Sequence, residues 1–244
     1  MSFLSQVAQF LTTGSHWTGT DGFLAQLGRQ IELSAVAVVA AVVAGVGIGA
    51  LLGHTGRGSF LILNGANAAR AVPSFALVVL IAIQPGILGL QQGAFVAAAI
   101  TMFALAVPPI LTNAYVGIRD VDPSVRSAAV AMGMKPGQLL RQVELPLALP
   151  LIMAGVRTAS VEVVATATLA AYIGVADLGF DIFAGLDTRN NAETFSAAFL
   201  VAILALLVDL LLATAARALT PAGTREATRA ARQRGTGLMW RHAR

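Results

Sequence analysis

Cysteine is absent from the 244 residues, and charge is scarce: Asp, Glu, Lys and Arg together make up 11%. The first absence excludes disulfides and thiolate metal sites. The second excludes a soluble fold, because a soluble domain carries about 25% charged residues and uses them to cover its surface. An ordinary cytosolic enzyme, a disordered chain and a DNA-binding domain are set aside on the same ground. Aromatics are few, at 6%, with Trp17, Trp240, Tyr115 and Tyr172 scattered along the chain. The three histidines, His16, His54 and His242, lack metal-site spacing and read as solvated or interfacial. There is no Gly-x-x-x-x-Gly-Lys-[Ser/Thr] phosphate loop, so ATP hydrolysis is not expected of this chain, and no catalytic constellation, metal or bound cofactor is either.

Apolar residues make up 57%, and the mean hydropathy is +0.77. They fall in long uninterrupted runs rather than the roughly 10-residue alternating segments of a membrane β-barrel. The fold class is therefore an all-α polytopic membrane protein. Five transmembrane helices are expected, at about residues 33–53, 59–83, 94–116, 147–173 and 195–216. The second and third are separated by the Pro/Gly-containing stretch 84–93. Residues 1–24 read as an interfacial or extracytoplasmic segment whose first 13 residues suit an amphipathic helix (Phe3, Leu4, Val7, Phe10, Leu11). The first 20 residues lack the basic n-region and long apolar core of a cleavable signal. Residues 25–216 form the membrane domain and 217–244 a basic tail.

Net charge is +4, and all but one of the 16 basic residues are arginine. With five spans the termini lie on opposite sides. A cytoplasmic C-terminus puts 12 bases inside and only Arg29 and Arg189 outside. Such a bias follows the positive-inside rule, so the N-terminus is expected outside and the polar stretch 119–144 in the cytoplasm. The basic tail adjoins a membrane helix and has one aromatic, Trp240, so nucleic acid is not an expected partner.

Within that cytoplasmic loop Asp122 is a suitable N-cap and Pro123 a suitable first helical residue. A helix of about ten residues is expected to stop near Gly133, and Pro136 to start another. Ala128 with Met132, and Ala129 with Gly133, are four apart and mark one face, small except for Met132. Such a face suits either insertion into another protein or packing against the chain's own helices.

The loop resembles the EAA motif of ABC-importer permeases: Glu-Ala-Ala, three residues, Gly, nine residues, then Ile-x-Leu-Pro. Here Ser127-Ala128-Ala129, Gly133 and Val143-Glu144-Leu145-Pro146 reproduce every spacing, with Ser127 in place of Glu and Val143 in place of Ile. Further segments are similar to the glycine betaine/carnitine/choline permease subfamily: Ala71-Val72-Pro73-Ser74-Phe75-Ala76-Leu77, Val121-Asp122-Pro123, the run 144–159 and the run 166–174. The likeness covers about residues 25–215. It implies a methionine-importer-like permease fold in the bacterial cytoplasmic membrane. It also implies two permease subunits (two copies or a paralogue pair), cytoplasmic ATPases that use ATP and Mg, an extracytoplasmic binding protein, and quaternary-ammonium solutes.

On this reading Ser127, Ala128, Ala129, Met132 and Gly133 belong to a coupling helix between spans three and four. Leu145-Pro146 forms a rigid turn passing its motion into span four. Charges within spans mark function by default. Arg70, Pro73, Ser74 and Glu162 are candidates for the translocation path, with an Arg70–Glu162 pair across helices as the alternative for those two. Arg157 and Asp209 are expected to snorkel to the cytoplasmic interface. Gly45 and Gly49 form a small-xxx-small pattern suited to close helix packing. No aromatic cage is visible, so selectivity is expected from the binding protein. Other readings are the same machine carrying methionine or another amino acid, an ion-coupled secondary transporter, and a membrane scaffold.

Overall fold

A computed structural model describes residues 2–58, 64–65, 68, 73–83 and 93–220. Among these the regular structure is helical throughout, without a strand. Helix α1 is Phe3–Thr12, α2 is Phe23–Thr55, α3 is Ser74–Ile83 and α4 is Ala94–Arg119. Then come α5, Pro123–Ala131, and α6, Pro136–Leu139. A π-helical turn, Leu140–Glu144, leads into α7, Leu145–Ala167, which tightens into a 3-10 turn over Thr168–Ile173. Helix α8 is Gly179–Asp187 and α9 is Asn191–Leu219.

Four helical runs are long and apolar enough to cross a membrane: α2, α4, the run Pro136–Ile173, and α9. They cover expected spans one, three, four and five, and each extends past its expected bounds. The first starts ten residues early because Gln26, Arg29, Gln30 and Glu32 are absorbed into α2: Gln26 and Gln30 are buried, and Arg29 reaches the Ala176 and Thr20 carbonyls. Of the expected second span, α3 supplies ten residues, all apolar but Ser74. The rest of that span up to residue 72, apart from residues 64–65 and 68, lies outside the described residues, as do the connection 84–92 and the tail from 221.

The core lies among α2, α4 and α7, where Leu33, Ala41, Met102, Ile110, Ile118, Ala159 and Val163 are buried. Lipid tails are as apolar as leucine, so helices in a membrane associate through close packing rather than through hydrophobic exclusion. The glycines on α2 serve that purpose. A Cβ at Gly45 would lie 2.9 Å from Ile110 Cγ2, one at Gly49 2.7 Å from the Leu111 carbonyl oxygen, and one at Gly53 2.8 Å from the Tyr115 carbonyl oxygen. Gly155 gives α7 the same approach to Asn113 and Pro109 of α4.

The π turn has an identifiable cause. Pro146 has no N–H, and its ring would clash with the carbonyl of residue 142 in a regular helix. Widening the preceding turn relieves that clash, and the Leu145 N–H donates to the Leu140 carbonyl instead. Leu145-Pro146 is therefore not a turn, as expected, but part of one helical run from Pro136 to Ile173.

At the opposite end α1 packs on α9, with the Phe3 and Phe195 rings 5.4 Å apart. Trp17 packs on Phe23 and donates from its indole N–H to the Leu11 carbonyl at 2.7 Å. The stretch 177–193, between the last two membrane-length runs, contains α8, whose Ile182 packs against a core cluster of Phe23, Leu178 and Leu200.

Candidate functional site

Helix α5 is set by its ends. The Asp122 side chain accepts a hydrogen bond from the Ser124 backbone N–H at 2.7 Å, and hydrogen bonding to the Ser124 side chain, then to its backbone, holds its carboxyl below the usual range. Pro123 occupies the first turn, where a missing N–H costs nothing. After Met132 the chain turns at Gly133, at φ +88°, a left-handed conformation that glycine adopts without steric cost. The Gly133 and Met134 amides donate to the Val130 and Ala129 carbonyls, closing the helix. The Lys135 amide donates to Gln138 Oε1 at 2.9 Å and opens α6.

The loop residues do not all share one face. Ala129 is buried, at 2% exposure, and packs into its own protein. Ser127, Ala128 and Gly133 are exposed, and Met132 is 74% exposed. With Val125 and Val130 also exposed, α5 presents an outward apolar surface anchored on its inner side by Ala129. Ser127 donates to the Pro123 carbonyl of its own helix at 2.8 Å and so binds back within α5. Leu145 and Pro146 are half-buried, and Leu145 packs against the core.

Three charged or titratable groups that the motif does not feature fasten this loop to the bundle. Glu144, on the π turn, is buried. One of its oxygens lies 2.6 Å from His54 Nδ1 in the last turn of α2, and the other 3.2 Å from Arg126 Nε on α5. The second contact is an ion pair without hydrogen-bond geometry, because Arg126 aims its Nη2 at the Ile118 carbonyl at the end of α4. The cluster joins the ends of α2 and α4, α5 and the turn before α7. His54 is thus not an isolated solvated residue. Its partner is 90 positions away, so local spacing carried no signal of it. His16 is not isolated either: its ring packs on Phe10 at 3.9 Å and its Nδ1 lies 3.0 Å from the Phe10 carbonyl oxygen.

The charges within spans behave differently from expectation. Arg157 and Asp209 do not snorkel separately. The guanidinium makes two hydrogen bonds to the carboxylate, at 3.0 and 2.9 Å, joining α7 to α9. Glu162, in α7, is exposed, and the Arg70 proposed for it lies outside the described residues. Pro73 is exposed and Ser74 half-buried at the start of α3.

At the end of the bundle away from α5, a cavity of about 460 Å³ is lined by Phe10, His16, Asp21, Asp181 and Glu193, among others. Burial raises the Asp181 carboxyl above its ordinary value, against an opposing hydrogen bond from Gln26. Nearby in sequence, Asp177 is fully buried. Its Oδ1 accepts from the Gly179 amide at 2.9 Å, and burial pushes its carboxyl up from 3.8 to about 7.

Residues 41–223 match the family model described as binding-protein-dependent transport system inner membrane component. The choline transport system permease protein OpuBB of Bacillus subtilis is 36% identical over 220 residues, covering 90% of this chain and 96% of that protein. The glycine betaine/carnitine/choline transport system permease protein OpuCB of the same organism is 33% identical over 220 residues, covering 90% and 96%. Among solved structures, a chain of the MetNI methionine ABC transporter in an inward-facing conformation superposes with a TM-score of 0.68. It is 22% identical and covers 82% of this chain and 96% of that one, a likeness of fold. With its apolar membrane-length helices and this match over three quarters of its length, the chain is a multi-pass membrane protein that belongs to the family of binding-protein-dependent transport system inner membrane components.

Proposed function

We propose that this chain is the permease subunit of an ABC importer for quaternary-ammonium osmoprotectants, the class of glycine betaine, choline and carnitine. The observation that carries the solute class is the 36% identity, over nearly the full length of both chains, to a choline permease. The likeness to a methionine transporter is a likeness of fold at 22% identity and does not favour an amino acid.

The reading has the chain cross the membrane five times, with α3 as the outer part of the second span. The N-terminus is outside and the basic tail inside. Support comes from the charge distribution: Arg57, Arg119, Arg126, Lys135 and Arg141 lie in the chain segments around the His54–Glu144 contact, whereas Arg29 lies in the second turn of α2, at its other end, and Arg189 between α8 and α9. Helix α5 then faces the cytoplasm and works as the coupling helix. Its exposed Ala128, Val130 and Met132 enter a groove of a partner ATPase, which binds and hydrolyses ATP with Mg. This chain holds no cofactor or metal of its own. The Gly133 turn ends α5 and gives the chain a sharp exit from that groove.

Motion of α5 reaches the bundle through Arg126 and Glu144. The π turn is the compliant point and α7 the lever, with Leu145 and Pro146 at its base. Pro73, Ser74 and Glu162 line the path. An exposed carboxylate on a membrane helix is costly against lipid and favours a water-filled passage between two permease subunits. The acidic outer cavity lies on the side where the binding protein delivers its cargo. Co-expression with the partner ATPase and binding protein, followed by uptake of radiolabelled choline, glycine betaine, carnitine and methionine, tests the reading. Uptake of one or more quaternary ammonium solutes is expected. Uptake of methionine alone would overturn the solute class.

A further inference from the structure

Three aromatic rings from three separate elements meet beyond the end of α7. Tyr172 lies on the 3-10 turn Thr168–Ile173. Its ring packs against Phe75 of α3, with centroids 5.0 Å apart and planes at 71°, and against Phe183 of α8, at 6.1 Å and 63°. The cluster is not part of the core. Tyr172 is 63% exposed and Phe75 42% exposed. Of the three rings brought together from residues 75, 172 and 183, those of Tyr172 and Phe75 are left exposed and that of Phe183 is half-buried.

Phe75 is also well placed in the chain. It follows Pro73 and Ser74 at the first turn of α3, a helix of ten residues. Pro73 and Ser74 are the path candidates of this span, and Phe75 adjoins them directly.

We propose that the open face of the Phe75–Tyr172–Phe183 cluster is a contact site for the trimethylammonium headgroup of the solute during its passage. This rests on the solute class proposed above. A quaternary ammonium has no N–H to donate, so hydrogen-bonding side chains cannot grip it, whereas the negative face of an aromatic ring attracts it within about 6 Å of the centroid. The rings stand too close together for a headgroup to enter between them. The headgroup sits on the outer side, over the exposed Tyr172 ring, while Phe75 and Phe183 fix that ring's orientation. Contact with one open face is weak, as a passage site must be if the solute is to leave it. The competing account is an interfacial anchor, in which a tyrosine at the end of a span holds its hydroxyl among lipid headgroups. An anchor requires the hydroxyl and is indifferent to the π density of the ring, and a cation contact is the reverse.

The test uses the complete importer, permease with its ATPase and saturating loaded binding protein, in proteoliposomes. Uptake of choline or glycine betaine and ATP hydrolysis are measured together. Tyr172→Leu is expected to slow uptake about twofold to fivefold, the range corresponding to one lost cation–π contact at an exposed ring, while ATP hydrolysis is unchanged. Tyr172→Phe is expected to retain uptake, and progressive fluorination of that phenylalanine, which removes π density at nearly constant size, to lower it stepwise. Unchanged uptake by Tyr172→Leu, loss in Tyr172→Phe, or indifference to fluorination would each overturn the contact. If the unaltered importer carries no quaternary ammonium, the solute class falls and the contact with it. If it does and the variants do not differ from it, the contact alone falls.

Discussion

Glu144 is predicted to be the joint through which the loop helix and the membrane bundle act as one body. Glu144→Gln keeps the shape of the side chain and removes the charge that Arg126 and His54 face at 3.2 and 2.6 Å. Removing one member of a fully buried ion pair costs about 3–5 kcal/mol. Here Glu144 is 1% exposed, but Arg126 and His54 keep 22% and 19% exposure, and water relieves them in part. The expected loss is therefore smaller, about 2 kcal/mol. Part of it belongs to the pair itself. A double-mutant cycle of Glu144→Gln with Arg126→Met, read by denaturant unfolding in detergent, should give a coupling energy of about 1–3 kcal/mol. In the reconstituted importer the Gln variant should hydrolyse more ATP per solute carried, because α5 moves without taking α7 with it. A coupling energy below about 0.5 kcal/mol, together with unchanged ATP per solute, would refute the joint.

Four further outcomes follow from the geometry. Gly49→Ala places a methyl group 2.7 Å from the Leu111 carbonyl oxygen and should destabilise the α2–α4 contact by about 1–3 kcal/mol in thermal unfolding, whereas Gly47→Ala, with nothing within 4 Å, should not. Met132→Asp puts a charge on the exposed methionine that caps α5 and should abolish co-purification with the ATPase while membrane insertion is unchanged. The Asp177 carboxyl is raised from 3.8 to about 7, so the folded state binds more protons than the unfolded one between those values, and stability falls as pH rises through that window. Asp177→Asn keeps the acceptor for the Gly179 amide and removes the titration. Relative to this variant, the unaltered protein should lose up to about 4 kcal/mol between pH 4 and 8, and a flat difference would refute the burial argument. Arg157→Gln and Asp209→Asn each remove a half-exposed pair and should each lower the unfolding midpoint slightly, with the double variant losing less than the sum of the two.

Most of the loop helix was legible in the chain itself, because its determinants are local. Asp122, Pro123, Gly133 and Pro136 act within a few residues of their own positions, and α5 begins and ends where they direct. The long apolar runs were legible for a similar reason, since length and composition alone qualify a helix to cross a membrane. The connections between elements were not. His54 and Glu144 are 90 residues apart, and Arg157 and Asp209 are 52 apart. Ala129 was grouped with Ala128 because helical spacing says which residues are neighbours, not which side of a short helix meets the bundle. The scattered Tyr and Trp show no aromatic cage in the sequence, whereas the two rings that pack on Tyr172 are phenylalanines from elements far apart in the chain. Leu145-Pro146 reads as a rigid turn at the base of span four, whereas the structure carries the helix through the proline by widening the preceding turn.

The most direct test of the central claim is the energy source for uptake. The permease, its partner ATPase and its binding protein are reconstituted in proteoliposomes with every ion gradient dissipated by ionophores, and accumulation of labelled choline or glycine betaine is followed with and without ATP on the side of the ATPase. The account predicts accumulation that requires ATP and the binding protein and persists without a gradient. Accumulation driven by an imposed ion gradient in the absence of ATP would contradict it.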